Sequence, residues 1–264
     1  MYKKHLVLSD IHENGESLFR FMRKAEAMES GFDDIWLLGD LFGHSNQSNG
    51  NAKFDLGFLN SLDRLSDYPI SAVLGNWEYW LLHPERDNTS EAQAKCKAEL
   101  EERRQIITER KIRLFDKIMK KEVVCLPEEN PQFTVFHGCS FPCHDGQAYH
   151  AEPCESYLNP KDLNIVTGGL FENRENLKTQ HFLFGHTHIP GYFVYSVSTF
   201  VNIWRQFSPS VPEQKIEYGN GIQRFGINPG SAGVEGKDFP RTALILDTEE
   251  QTFQFLADRE PLYS

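Results

Sequence analysis

Leu6-Val7-Leu8-Ser9-Asp10-Ile11-His12 decides how the chain is read: a three-residue apolar run stops abruptly on a hydroxyl, a carboxylate and an imidazole. A short apolar run bounded in this way fits a buried strand. From Glu13 to Met28, the residues Leu18, Phe19, Phe21, Met22 and Ala25 recur on one broad helical stripe. Ile35-Trp36-Leu37-Leu38 reads as a second strand ending at Gly39-Asp40, and Ala52 to Leu65 as a second amphipathic helix. Ile70 to Leu74 reads as a third strand ending at Gly75-Asn76. Strand, helix, strand, helix, strand is the order of a parallel α/β unit. Ligands of such sheets gather beyond the carboxyl ends of the strands, where Asp10, Asp40 and Asn76 all fall.

The whole chain supports a folded enzyme-sized protein. It has 264 residues, of which 39% are hydrophobic, 25% charged and 12% aromatic. A protein of this size buries roughly 70–75% of its unfolded surface, which excludes a disordered chain, a coiled-coil rod and a small disulfide scaffold. Its 27 basic and 38 acidic residues give a net charge of −11. Such a chain repels bare nucleic acid and anionic membranes unless metal ions reverse the local sign, and no arginine-rich stripe for duplex DNA is present. Five cysteines, an odd count, fit a reducing compartment. The first residues lack a signal-peptide pattern, and nowhere do 18 apolar residues run together. The expectation is a cytoplasmic protein, one domain over residues 1–264, monomer or homodimer, with no membrane partner.

Residues 84–122 interrupt the α/β rhythm. Glu91 to Lys121 is proline-free and charged, with Leu100, Ile107, Leu114 and Ile118 on one stripe. This predicts a helical insertion whose charges form a solvated face and whose stripe packs on the body; its position after Asn76 also allows it to cap a substrate cleft. From Val123 onward the pattern is mainly extended. Strands are expected at Val123–Leu126, Gln132–Phe136, Phe182–Phe184, Gly191–Tyr195, Gln223–Gly226, Thr242–Leu246 and Thr252–Phe255, the last two as a hairpin. A short helix is expected within Leu158 to Asn176.

The chemistry lies in five phrases: Asp10-Ile11-His12, Gly39-Asp40, Gly75-Asn76, His137-Gly138 and Gly185-His186-Thr187-His188. Each polar group follows an apolar run. One buried polar residue needs only a hydrogen-bond partner, whereas seven ligand-type side chains at five strand exits need metal ions to hold them together. Imidazole, carboxylate and amide oxygen suit Mn, Fe, Zn, Co or Ni. Asp-x-His or His-x-His alone is a weak signal. The ordered set strongly resembles the calcineurin-like metallophosphoesterase superfamily, whose blocks run Asp-x-His, Gly-Asp, Gly-Asn-His-Asp/Glu, His-Gly and Gly-His-x-His. Asn228-Pro229-Gly230-Ser231 resembles a loop of its small bacterial and archaeal phosphodiesterase branch, to which diadenosine tetraphosphatase-related proteins also belong.

That resemblance implies a four-layer α-β-β-α sandwich, an α/β fold with two central mixed β-sheets. It implies two divalent transition-metal ions: Asp10, His12 and His188 on the first, Asn76, His137 and His186 on the second, and Asp40 bridging. It implies a hydrolase that attacks a phosphoric ester with a metal-bridging hydroxide. The chain departs from the pattern at Trp77, where the phosphoprotein-phosphatase branch carries a histidine thought to assist the leaving group. Indole donates no proton at neutral pH. The departure favours a small phosphodiester or nucleotide-like substrate over a phosphoprotein (Ser/Thr) or a diadenosine polyphosphate, with a non-catalytic metal-stabilised scaffold as a further alternative. Trp77 either packs beneath the site or faces the cleft and stacks on an aromatic leaving group. His44, four residues beyond Asp40, is the candidate replacement acid, with an ordinary pKa near 6.5. Cys139, Cys143, His144, His150 and Cys154 are close enough in sequence to hold a zinc ion, but their spacing is not that of a zinc knuckle, and ordinary thiols are expected. Arg205, Lys237 and Arg241 are considered as phosphate contacts, with a solvent-facing position expected for each.

Overall fold

The computed structural model describes residues 3–29, 31–43, 56–83, 100–107, 124–125, 132–138, 154, 158, 179–208, 214–236 and 238–259. In chain order the elements are β1 (Lys4–Leu8), α1 (Gly15–Glu26), β2 (Asp34–Leu37), α2 (Leu56–Leu65), β3 (Ile70–Ala72) and α3 (Asn76–Leu82). Then come β4 (Val124–Cys125), β5 (Phe133–Phe136), β6 (His181–Leu183), β7 (Gly191–Ser196), β8 (Val201–Gln206) and β9 (Ile216–Glu217). The chain closes with β10 (Gln223–Asn228), β11 (Arg241–Asp247) and β12 (Thr252–Asp258). Residues 100–107 are helical.

Two six-stranded mixed sheets form, in the orders β3-β2-β1-β11-β12-β9 and β4-β5-β6-β10-β7-β8. In the first, β1, β2 and β3 are parallel and β11 returns antiparallel beside β1. In the second, β5, β6 and β10 are parallel and β7 returns antiparallel beside β10. The opening βαβαβ reading therefore describes half of one sheet. The β11–β12 hairpin forms as expected, with Asp247 opposite Thr252.

Two cores hold these layers. Val7, Trp36, Leu38, Leu183, Phe225, Ile227, Leu244 and Phe253 fill the space between the sheets. Leu6, Leu8, Ile35 and Leu37, alternating with them along β1 and β2, face the helices on the outer side of the first sheet. Asn14 caps α1 by accepting the Ser17 N–H at 3.0 Å. Leu18, Phe21, Met22 and Ala25 form the buried face of α1, and each of the three larger side chains contributes about 1.5–3 kcal/mol by leaving water. Phe19 lies off that face, its ring covered by the guanidinium groups of Arg23 and Arg64. The alternation of buried sides along β1 and β2 explains why their sequences read as unbroken apolar runs.

Three elements were not expected from sequence. The helix α3 begins directly at Asn76 and is only seven residues long, too short for periodicity to register. Edge strand β8 is half exposed, and β9 is two residues long. The helix expected within 158–176 lies outside the described residues, apart from buried Leu158. Leu100 and Ile107 of the helix over 100–107 pack into the helix-side core; Leu114 and Ile118 lie outside the described residues.

Candidate metal centre

Six parallel strands, three from each sheet, point their carboxyl ends toward one region. Asp10 and His12 follow β1, Asp40 follows β2, Asn76 follows β3, His137 follows β5, and His186 and His188 follow β6. Asp10, His12, Asp40, His186 and His188 all have positive φ, between 47° and 68°. Non-glycine residues rarely adopt this left-handed conformation, and its cost persists where surrounding structure enforces it. The enforcement is visible in the backbone: Asp10 N–H donates to Gly39 O at 3.0 Å, His12 N–H to Asp40 O at 3.1 Å, and Gly185 N–H to His137 O at 3.0 Å. Close approach matters too, since a Cβ on Gly75 would lie 2.2 Å from Asp40 Oδ1.

Asp10, His12 and His188 form one group of potential ligands, and Asp40, His137 and His186 another, with the ligand atoms of each group within 4.8 Å of one another. In the first group, His12 Nδ1 lies 3.2 Å from Phe42 O. Donation there leaves Nε2 as a lone pair, 3.1 Å from His188 Nε2. Asp10 Oδ2 accepts the Ser9 hydroxyl at 2.5 Å and the His186 N–H at 3.1 Å. Asp10 Oδ1 is buried without a hydrogen-bond partner, yet lies 3.1 Å from His188 Nε2 and 3.9 Å from Nε2 of both His12 and His137.

In the second group, His137 Nδ1 donates to Leu38 O at 2.6 Å, which turns Nε2 toward Asp40 Oδ2 at 3.3 Å and Asn76 Oδ1 at 3.2 Å. Turned over, the Asn76 amide nitrogen would sit 3.0 Å from His186 Nδ1 and 3.0 Å from Asp40 Oδ2. Its oxygen therefore shares one small space with acceptors on every side. An orphaned carboxylate oxygen and an amide oxygen set among lone pairs are the donors a divalent cation satisfies, so the residues fit two such ions.

The electrostatics agree. Burial by itself would raise Asp10 and Asp40, but the surrounding imidazoles win and hold both carboxyls below their ordinary range. Burial likewise opposes charge on His137, but Asp40 and Asp10 overcome it and push it up to about 9. His12 goes the other way, because burial outweighs the pull of Asp40 and Asp10. His186 and His188 are half-buried while Asp10, Asp40, Asn76 and His137 are buried, so solvent reaches the ligands from the β6 side.

Three residues of the quoted motifs support the ligands without a role having been assigned to them from sequence: Glu78, at the Asp/Glu position of the Gly-Asn-His-Asp/Glu block, and Asn228 and Ser231 of the 228–231 loop. Glu78, fully buried, accepts the backbone N–H groups of Asp40, Leu41, Phe42 and Gly75 at 2.8–3.1 Å. Burial and repulsion from Asp40 outweigh those bonds and push its carboxyl up to about 7. Ser231 Oγ donates to Asp10 O at 2.7 Å. Asn228 donates to Gly185 O at 3.0 Å and Thr187 Oγ1 at 2.9 Å, tying the 228–231 loop to the Gly-His-Thr-His turn.

Trp77 is 7% exposed and belongs to the helix-side core. Its indole lies against Trp80 and against Gly43, where a Cβ would come 2.7 Å from the ring. Of the two placements considered for Trp77, this is packing beneath the site. His44 lies outside the described residues, as do Cys139, Cys143, His144, His150 and Lys237. Cys154 is buried and its thiol lies 3.3 Å from Leu74 O. Arg241 corrects the expectation of a solvent-facing residue: it is 2% exposed and paired with Asp258 at 3.3 Å and Glu235 at 3.5 Å. Arg205 is exposed on β8.

Residues 4–251 match the calcineurin-like phosphoesterase superfamily domain. None of the curated proteins matches the chain. Among solved structures, a metallophosphoesterase from Sphaerobacter thermophilus is 18% identical with a TM-score of 0.64, covering 98% of this chain and 89% of that one. A point mutant of a cold-active protein tyrosine phosphatase is 14% identical with a TM-score of 0.50, covering 97% and 81%. An archaeal phosphodiesterase is 16% identical with a TM-score of 0.45, covering 97% and 99%. The first two likenesses carry the fold, and the domain match carries the family: the chain belongs to the calcineurin-like phosphoesterase superfamily.

Proposed function

We propose that this calcineurin-like phosphoesterase is a dimetal hydrolase acting on a small phosphodiester or nucleotide-like substrate. The observation that carries the reading is the buried Asp10 Oδ1, without a hydrogen-bond partner and set among the Nε2 atoms of His12, His137 and His188. Asp10, His12 and His188 would hold one ion and Asn76, His137 and His186 the other, with Asp40 shared between them. Two divalent ions from the set Mn, Fe, Zn, Co and Ni would, when bound, supply Lewis acidity for the phosphate oxygens and lower the pKa of a bound water.

The protein's own part is orientation and charge. Backbone carbonyls Phe42 O and Leu38 O fix the tautomers of His12 and His137. Asp10 and Asp40 bring two negative charges against the four positive charges of two divalent ions. The site consequently attracts a phosphate although the chain carries −11. Trp77, packed under Gly43, provides no proton for the leaving group. Esters with good leaving groups are then the better substrates, because an unassisted alkoxide leaves slowly. His44, next in sequence to Gly43, is the candidate donor if the leaving group is assisted after all.

The test is steady-state hydrolysis of a nitrophenyl phosphodiester and the matching monoester by metal-reconstituted protein, with Asp40→Ala and metal-stripped controls. Preference for the diester, abolished in both controls, is expected. Preference for the monoester would overturn the substrate assignment and make His44→Ala the next variant. No turnover of either ester would move the reading to a non-catalytic, metal-stabilised scaffold.

A further inference from the structure

Arg103 belongs to the charged insertion, yet it is 5% exposed. Its guanidinium grips Glu13, itself 5% exposed, through two nitrogens: Nε on Oε1, and a terminal nitrogen on Oε2 at 2.9 Å. The same terminal nitrogen lies 3.5 Å from Gly43 O, while Gly43 N–H donates to Glu13 Oε1 at 3.2 Å. Glu13 directly follows His12, and both have positive φ, 62° and 47°. Gly43 in turn lies against the His12 ring, since a Cβ there would come 2.8 Å from His12 Nδ1. Phe42 O, one residue before Gly43, takes the His12 Nδ1 bond at 3.2 Å.

We propose that Arg103 is a positioning residue of the metal centre: by clamping Glu13 and Gly43 it fixes the His12 turn, so that docking of the 100–107 helix and cation binding at Asp10, His12 and His188 stabilise one another. This rests on the metal-centre reading above. The physical cause is the loss of a two-pronged, charge-assisted grip if the clamp opens. Glu13 would lose both guanidinium bonds in a setting only 5% exposed, so its position would no longer be fixed. Moving it unwinds the left-handed turn that aims His12. Conversely, an ion that needs His12 Nε2 in place favours the turn, the turn favours the clamp, and the clamp favours the docked helix. Coupling of this kind is reciprocal. Leu100 and Ile107 supply the apolar part of the docking, and Arg103 connects it to the turn through charge and two-pronged geometry.

The experiment titrates Mn²⁺ into metal-free protein by calorimetry and follows amide hydrogen exchange of residues 100–107 with and without Mn²⁺. In Arg103→Met, one of two Mn²⁺ sites is expected to weaken at least tenfold while the other stays within twofold, and Arg103→Lys is expected to fall between it and the unmodified protein. Mn²⁺ is expected to slow exchange in 100–107 in the unmodified protein and not in Arg103→Met. Should Arg103→Met fail to fold, the double variant Glu13→Gln/Arg103→Met removes the buried charge, and the same selective weakening is expected of it. Two sites with unchanged affinities, or two weakened equally in step with a lower melting temperature, would overturn the linkage alone. An unmodified protein that binds neither Mn²⁺ nor, in the same titration, Zn²⁺, Fe²⁺, Co²⁺ or Ni²⁺ would overturn the metal-centre reading and the linkage together.

Discussion

Asp10→Asn exchanges one oxygen for an amide nitrogen at almost constant volume, and its effect follows from the unequal surroundings of the two oxygens. Oδ2 accepts from Ser9 and His186, so the variant keeps its oxygen there. The new NH₂ falls at the Oδ1 position, 3.1 Å from His188 Nε2, where it presents a donor to the space meant for a cation. Removing the charge of a buried, closely paired carboxylate costs about 3–5 kcal/mol, about two to three and a half powers of ten in affinity at about 1.4 kcal/mol per tenfold. Under the proposed assignment the first ion is then lost, while Asp40, Asn76, His137 and His186 would keep the second. At a metal concentration about 100 times Kd, each site adds about 2.7 kcal/mol of stability. With about 2–4 °C per kcal/mol for a chain of this length, two sites raise the melting temperature by about 10–20 °C, and the variant retains about half of that rise. Scanning calorimetry with and without Mn²⁺, each protein referred to its own metal-free baseline, measures it. A variant with the full rise would show that Asp10 holds no ion.

Trp77→Ala is expected to cost about 3–5 kcal/mol in urea unfolding, the usual loss for a buried aromatic, and Trp77→His to gain no monoester turnover; a cost below about 1 kcal/mol would refute the packing role. Glu78→Gln leaves two of its four backbone N–H partners facing an amide NH₂, at about 1–3 kcal/mol each. Relief of repulsion from Asp40 offsets part of this, so a net loss of about 2–4 kcal/mol is expected, and an unchanged urea midpoint would contradict it. His181, 2% exposed, is lowered to about 4 by burial and then by Arg224. Its folded form therefore binds fewer protons than the unfolded chain between pH 6.5 and 4, and stability falls as pH drops through that window. The full penalty is about 3 kcal/mol, and His181→Gln should flatten the urea midpoint across the same range. An equal pH dependence in that variant would exclude His181 as its source.

The parallel half of the first sheet was legible because β1 and β2 are buried on both faces, which makes Leu6-Val7-Leu8 and Ile35-Trp36-Leu37 apolar without alternation. The ligand-type residues were legible because each stands where such a run stops. Elements without that contrast were not: β8 pairs on one side with β7 and is half exposed, and α3 is too short for a helical period to accumulate.

Local sequence thus determined which side chains are of ligand type and that they lie at strand exits, since apolar runs and their termini are properties of neighbouring residues. Tertiary structure decided the rest. It divided the ligand types into two groups and buried Asp10 Oδ1 among the Nε2 atoms of three imidazoles. It sent Trp77 into the core, and it drew Arg103 from a charge run onto Glu13, 90 residues away in sequence. Those outcomes depend on contacts between segments that only packing brings together, and a buried ion pair is written nowhere in the spacing of either partner.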